Sequence, residues 1–187
     1  MSTTIQRTIT SDASARSRTA GLFLGQLDEQ LRRLIDDTKT ATPRELAWQP
    51  EPGDNTPGML LAHIALVEVG WTNMGVLGRE WGEAASLPLT YEEGGMPLAS
   101  GAPPPANLAE RDIDYFHDLL RRARSHSRAA LVALDEAELA RTFELPRPQG
   151  GRFLGNVSWV LYHLLEHFAG HHYQILSLRR RFADRGA

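Results

Sequence analysis

The sequence has no cysteine among its 187 residues. That absence removes thiol nucleophiles, disulfides and cysteine-ligated zinc, and leaves imidazole and carboxylate as the available metal ligands. Lysine is nearly missing as well: Lys39 stands alone beside nineteen arginines, a bias of the kind GC-rich bacterial genomes produce. Charged residues make up an ordinary 23%, but their excess of one sign is small, and a net −3 gives no general attraction to nucleic acid or to a membrane surface. No apolar run approaches the roughly 18 residues a membrane span needs. Met1 to Arg18 lacks the apolar centre of a secretory signal, so a cytoplasmic protein is expected. The length suits one domain with a sizeable core, preceded by a flexible tail over residues 1–17.

What the chain does have is histidine, concentrated in one place. Four of its seven histidines, His163, His167, His171 and His172, fall within ten residues of Trp159 to Ile175. On a helix His163, His167 and His171 recur every turn, and two imidazoles one turn apart form a ready bidentate grip on a metal. His172 lies about 140° around the axis from His167 and belongs to another face.

Four helices are expected, and no strand. Leu24, Leu27, Leu31 and Leu34 give the first, from about Arg18 to Asp37, its apolar side. Thr56 and Pro57 supply an N-cap and a first-turn proline for the second, which runs towards Arg79. Leu108 to Leu134 is the third, with Arg121, Arg122 and Arg128 on its solvated side. Asn156 caps the fourth, from Val157 to about Phe182. Long Pro- and Gly-rich connections lie between the second and third helices, over Gly82–Asn107, and between the third and fourth, over Asp135–Gly155. The fold class is therefore an all-α four-helix bundle.

Within this frame His63 follows Leu60 by three residues and precedes Val67 by four, so it points with the apolar side of the second helix. Together with His167 and His171 it would make a three-histidine face with coordination positions left open, as catalytic divalent metals require. Zn, Ni, Cu and Fe all suit neutral imidazole, and a bound ion would polarise a water, a thiol or a carbonyl. Glu68 and Glu166 are candidates to steady such a site from behind the ligands. Tyr91 is a candidate to face a substrate from the long connection. His117 reads as a core or rim residue that looks inward, and Arg124 as one that reaches into a pocket to hold an anionic group.

The segments Leu46-Ala47-Trp48-Gln49-Pro50, Met59 to Ile64 and Trp159 to Ile175 resemble the DinB-like (YfiT-like) metal-dependent bundle proteins. The resemblance spans nearly all of the chain after the tail. It implies an up-down-down-up bundle, often dimeric, occupying residues 18–187. It places the family's metal histidines on His63, His167 and His171, with Gln174 matching the glutamine that follows, and leaves His163 open as an alternative ligand. Phe168, Gly170, His172 and Tyr173 depart from the family pattern without removing a presumed ligand.

Characterised relatives of that kind include thiol S-transferases, and the resemblance implies a divalent metal, Zn or Ni foremost, with a low-molecular-weight thiol as co-substrate. The expected function is addition of that thiol to an electrophile in a stress or detoxification role, by a homodimer that binds neither nucleic acid nor membrane. A hydrolase using the same open position and a non-catalytic metal-binding bundle are the alternatives.

Overall fold

The computed structural model describes residues 6, 8–81, 87–94, 96, 98–147 and 150–185. Met1, Arg7, Gly82, Gly95 and Pro148, all within segments read from the sequence, lie outside the described residues. Four long helices carry the fold: α1 (Arg18–Thr38), α3 (Pro57–Trp71), α6 (Ile113–Leu131) and α8 (Val157–Asp184). Short helices α2 (Pro43–Leu46), α4 (Tyr91–Gly94), α5 (Ala106–Ala109) and α7 (Glu136–Ala140) punctuate the connections. The expected starts of α1, α3 and α8 hold, with Ser17, Thr56 and Asn156 each accepting a backbone N–H of the first turn with their side chains. The third long helix begins at Ile113 and not at Leu108, because Asp112 accepts from Tyr115 N and caps it there.

Pairings between the helices give their directions. His63 meets His167 while Trp71 meets Trp159, so α3 and α8 are antiparallel. Glu68 meets Arg124 and Asn73 meets His126, so α3 and α6 run the same way. Thr38 meets His117 whereas Asp28 meets Arg128, which sets α1 against α6. The bundle is up-down-down-up, as expected from the resemblance. Parallel α3 and α6 explain the length of the connection between them. It must return along about 22 Å of helix before α6 can start.

Three further features depart from the sequence reading. The 135–155 connection is not wholly irregular. It holds an antiparallel hairpin, β1 (Thr142–Pro146) with β2 (Arg152–Asn156), in which Phe143 pairs with Gly155 and Leu145 with Phe153. Its prolines and glycines disguised two five-residue strands whose inward rings, Phe143 and Phe153, pack on the bundle's end.

The tail does not leave the body at residue 17. Thr10 and Asp12 run against α1 where Gly21 and Gly25 present bare backbone, and any Cβ there would strike their carbonyls. The Asp12 N–H donates to Gly21 O, the Arg16 N–H to Val132 O, and Asp12 also pairs with Arg128.

Finally, Pro57–Leu77 is long and apolar enough to cross a membrane by length and composition, but it is mostly buried against the rest of the bundle, as in a core helix. The last turn and a half, Thr72–Leu77, widens into a π-helix.

Two apolar clusters fill the bundle. One gathers Met59–Leu66, Phe116, Leu119, Phe168 and Ile175; the other Leu24, Leu27, Leu131, Val157, Val160 and Leu164. Between them lies a buried polar layer. Glu68 receives two hydrogen bonds from Arg124, Nε at 2.7 Å and Nη2 at 2.9 Å, and a third from the Ser127 hydroxyl.

Candidate metal centre

Helix α3 is apolar on all sides, so it is buried all round. Along its fifteen residues only His63 and Trp71 reach partway to the surface, and both do so on the side of α8. On α8 the half-buried residues His163, His167 and His171 face the same seam. His172 is buried on a different side, with Nε2 3.0 Å from Asp37 Oδ2 on α1. That matches the turn of the helix, which carries His172 away from the other three.

The antiparallel approach of α3 to α8 brings three imidazoles together. His167 Nε2 lies 3.1 Å from His63 Nε2 and 3.0 Å from His171 Nε2. The His63 and His171 rings meet edge to face with centroids 5.0 Å apart, and one nitrogen from each of the three falls within 4.8 Å of the others. Three nitrogens bound to one tetrahedral ion at about 2.0–2.1 Å would sit about 3.3 Å apart, close to the two separations made by His167.

Behind His171, Nδ1 donates to Gln174 Oε1 at 2.7 Å, which leaves the Nε2 lone pair pointing into the cluster. Burial, then the neighbouring His171, pushes His63 down to about 4. Burial, then His171, His63 and His163, pushes His167 down to about 3. Both are therefore neutral at pH 7. Three converging imidazole nitrogens cannot all be satisfied by hydrogen bonds to one another, whereas a cation accepts all three lone pairs.

The other residues singled out in the sequence are placed as follows. His163 is outside the converging set. Its ring stacks on Trp159 with centroids 4.8 Å apart and an interplanar angle of 7°, and its Nδ1 lies 3.1 Å from Glu166 Oε1. Glu166 thus sits behind His163 and not behind a converging histidine. Tyr91 lies over the seam, its ring 6.4 Å from that of His63 and 5.3 Å from that of Trp81. Glu68 and Arg124 do not serve the cluster: they neutralise each other inside the bundle, so the expectation of an anion-holding Arg124 is corrected. His117 donates to Thr38 Oγ1, whose own proton goes to Leu34 O, and is part of the packing of α6 on α1. The sequence did not single out Trp71 or Trp81 for the site. Together with Trp159 they wall one end of the seam, and no spacing rule announces that.

A family model described as the DinB superfamily matches residues 26–175, which takes in His63, His167, His171 and Gln174. The chain belongs to the DinB superfamily. Among solved structures, this DinB chain is similar to a conserved protein of Enterococcus faecalis known from a crystal structure. The two share 16% identity over 85% of this chain and 94% of that one, with a TM-score of 0.59, a likeness of fold. None of the curated proteins matches it.

In this DinB protein, Gln174→Ala is expected to weaken metal binding by about 10–100-fold, because the outer partner fixes the tautomer and the angle of His171. Competition titration with a chromophoric chelator reads the change, and an unaltered affinity would show that Gln174 has no such hold.

Proposed function

We propose that this DinB protein is a metal-dependent enzyme, with a divalent ion, Zn or Ni, held by His63, His167 and His171 and a low-molecular-weight thiol as co-substrate. The observation that carries the reading is the convergence of three imidazoles from two helices, with no fourth carboxylate or imidazole in the group among the described residues. A structural zinc site closes with four protein ligands; three leave room for a reactant. A divalent ion there supplies Lewis acidity, which lowers the pKa of a ligated thiol or water.

The chain's own residues orient and shield. Gln174 sets the His171 ring, and Tyr91 with Trp81 screens the seam from one side. The half-exposed histidines admit water as readily as a thiol, which keeps hydrolysis as a second reading at the same position. The setting we propose is the cytoplasm and the assembly a homodimer. The exposed rings of Tyr162 and Tyr173 on the outer side of α8 supply surface for the latter. The net charge of −3 supports neither nucleic acid nor membrane as a partner.

The test compares chelated protein with protein reloaded with Zn or Ni, assayed for conjugation of bacterial thiols to an aromatic electrophile and for hydrolysis of activated esters. Conjugation that needs both metal and thiol supports the transferase reading, and ester hydrolysis without thiol supports the hydrolase. Rates equal in chelated and reloaded protein would overturn both.

A further inference from the structure

Next to the cluster, α8 continues outward as one wall of a groove. Gln174, which touches His171, also lines a cleft of about 270 Å³ floored by Leu60 and Leu178 and edged by Asp54, Asn55 and Arg181. Arg181 lines a second cleft of about 750 Å³ as well, with Trp48, Glu51, Asp184 and Arg185. His171, Gln174, Leu178 and Arg181 follow one another along a single side of α8, at steps of three, four and three residues. Ten residues of helix place Arg181 about 15 Å beyond His171 along the axis.

The two arginines at the far end are exposed, and both lie against one aromatic ring. Among the described residues, the buried or half-buried arginines are matched to carboxylates: Arg124 to Glu68, Arg128 to Asp28, Arg179 to Glu45. Neither Arg181 nor Arg185 has such a partner among the described residues. Their guanidinium carbons lie instead over the Trp48 ring, at 5.7 and 5.3 Å from its centroid. Trp48 is itself fixed against Phe182, with centroids 5.7 Å apart. Its neighbour Gln49 donates to Asp54 O at 3.0 Å and Ala102 O at 2.9 Å, which ties down that wall of the groove. A guanidinium held over a ring keeps N–H groups free for a planar oxyanion.

We infer that Arg181, braced on Trp48, binds a carboxylate at the far end of the co-substrate whose reactive atom reaches the histidine cluster. The inference rests on the thiol reading of that cluster. It defines the co-substrate as an extended, polar thiol with a carboxylate about 10–15 Å from its sulfur. Glu51, Asp54 and Asp184 border the same clefts, and their charge favours a singly charged carboxylate over a dianionic phosphate. Arg181 lies outside residues 26–175, which the family match spans and which hold the whole cluster.

The experiment uses the full chain loaded with cobalt(II), whose visible absorption reports a thiol reaching the metal without any turnover. Glutathione, a tripeptide thiol with two carboxylates, is titrated against 2-mercaptoethanol, a short neutral one. Arg181→Ala is expected to raise the dissociation constant for glutathione about tenfold, the worth of one charged hydrogen-bonded contact, and to leave that for 2-mercaptoethanol unchanged. Arg181→Lys, which keeps the charge but not the fork, is expected to recover part of the loss. Equal weakening of both thiols, or no change in either, would overturn the inference while leaving the thiol reading standing. A cobalt spectrum that responds to neither thiol in the unsubstituted protein would remove the thiol reading, and this inference with it.

Discussion

Replacing His167 with alanine is expected to empty the cluster of metal and abolish every metal-dependent activity, while the helical far-ultraviolet spectrum persists. His167 is the residue to choose because its Nε2 is the one in contact with both other imidazoles, at 3.1 and 3.0 Å. Two nitrogens from opposite helices would remain, without the atom that joins them. The loss of affinity should exceed the roughly 10–100-fold that follows removal of a ligand's outer partner. Elemental analysis should fall from near one ion per chain to near none. His63→Ala and His171→Ala are expected to behave alike, whereas His163→Ala should retain the metal, because His163 is stacked on Trp159 and faces Glu166. Full metal content in the His63 and His171 variants would rule this site out, and loss of metal from the His163 variant would restore the alternative ligand set.

The second large effect is expected in stability. Glu68→Gln leaves the Arg124 guanidinium in the interior, where its side chain is 6% exposed, without the one buried counter-charge it has among the described residues. Breaking one side of a buried pair costs about 3–5 kcal/mol. At about 2–4 °C per kcal/mol for a chain of this size, the melting temperature should fall by roughly 10 °C. Asp28 does not make good the loss, since it stands 3.6 Å from Nη1 and is itself shared with Arg128. The double variant Glu68→Leu, Arg124→Met should recover most of the difference, because an apolar pair of similar volume removes both desolvation costs together. Chemical denaturation of the parent, Glu68→Leu, Arg124→Met and the double variant gives the coupling directly. A drop below about 1 kcal/mol for Glu68→Gln would mean the interior is wetter than the packing indicates.

Much of this molecule can be read from local rules. Leu24, Leu27, Leu31 and Leu34 mark α1 to within a residue of its end, and Thr56-Pro57 and Asn156 mark the starts of α3 and α8. Capping depends on a side chain and a backbone group three residues apart, so the information is contained in a few letters. Other features depend on partners distant in sequence. Glu68 looked free to serve a metal and Arg124 free to take a ligand, because neither side chain's position reveals that the other, 56 residues away, will meet it. The hairpin was hidden for a related reason. Five-residue strands have no stability alone, and Phe143 and Phe153 define them only where the bundle's end offers rings to pack on. The docking of residues 10–16 follows from Gly21 and Gly25, whose role appears only when another segment crosses them.

The histidine cluster shows the division most plainly. The sequence by itself determined that the chain is a four-helix bundle and that any metal must be held by imidazole or carboxylate. It also determined that His167 and His171 stand one turn apart with His172 turned away, since helical geometry relates residues on one element. Tertiary structure decided which histidines act together. The helix advances about 100° per residue, so His163 and His171, eight residues apart, diverge by about 80°. Only two of the three on α8 can then face a single side chain on α3, and the antiparallel packing of α3 on α8 places His63 opposite His167 and His171. The same packing turned His163 onto Trp159 and Glu166, because the ring left over at that end of the seam met the aromatic wall.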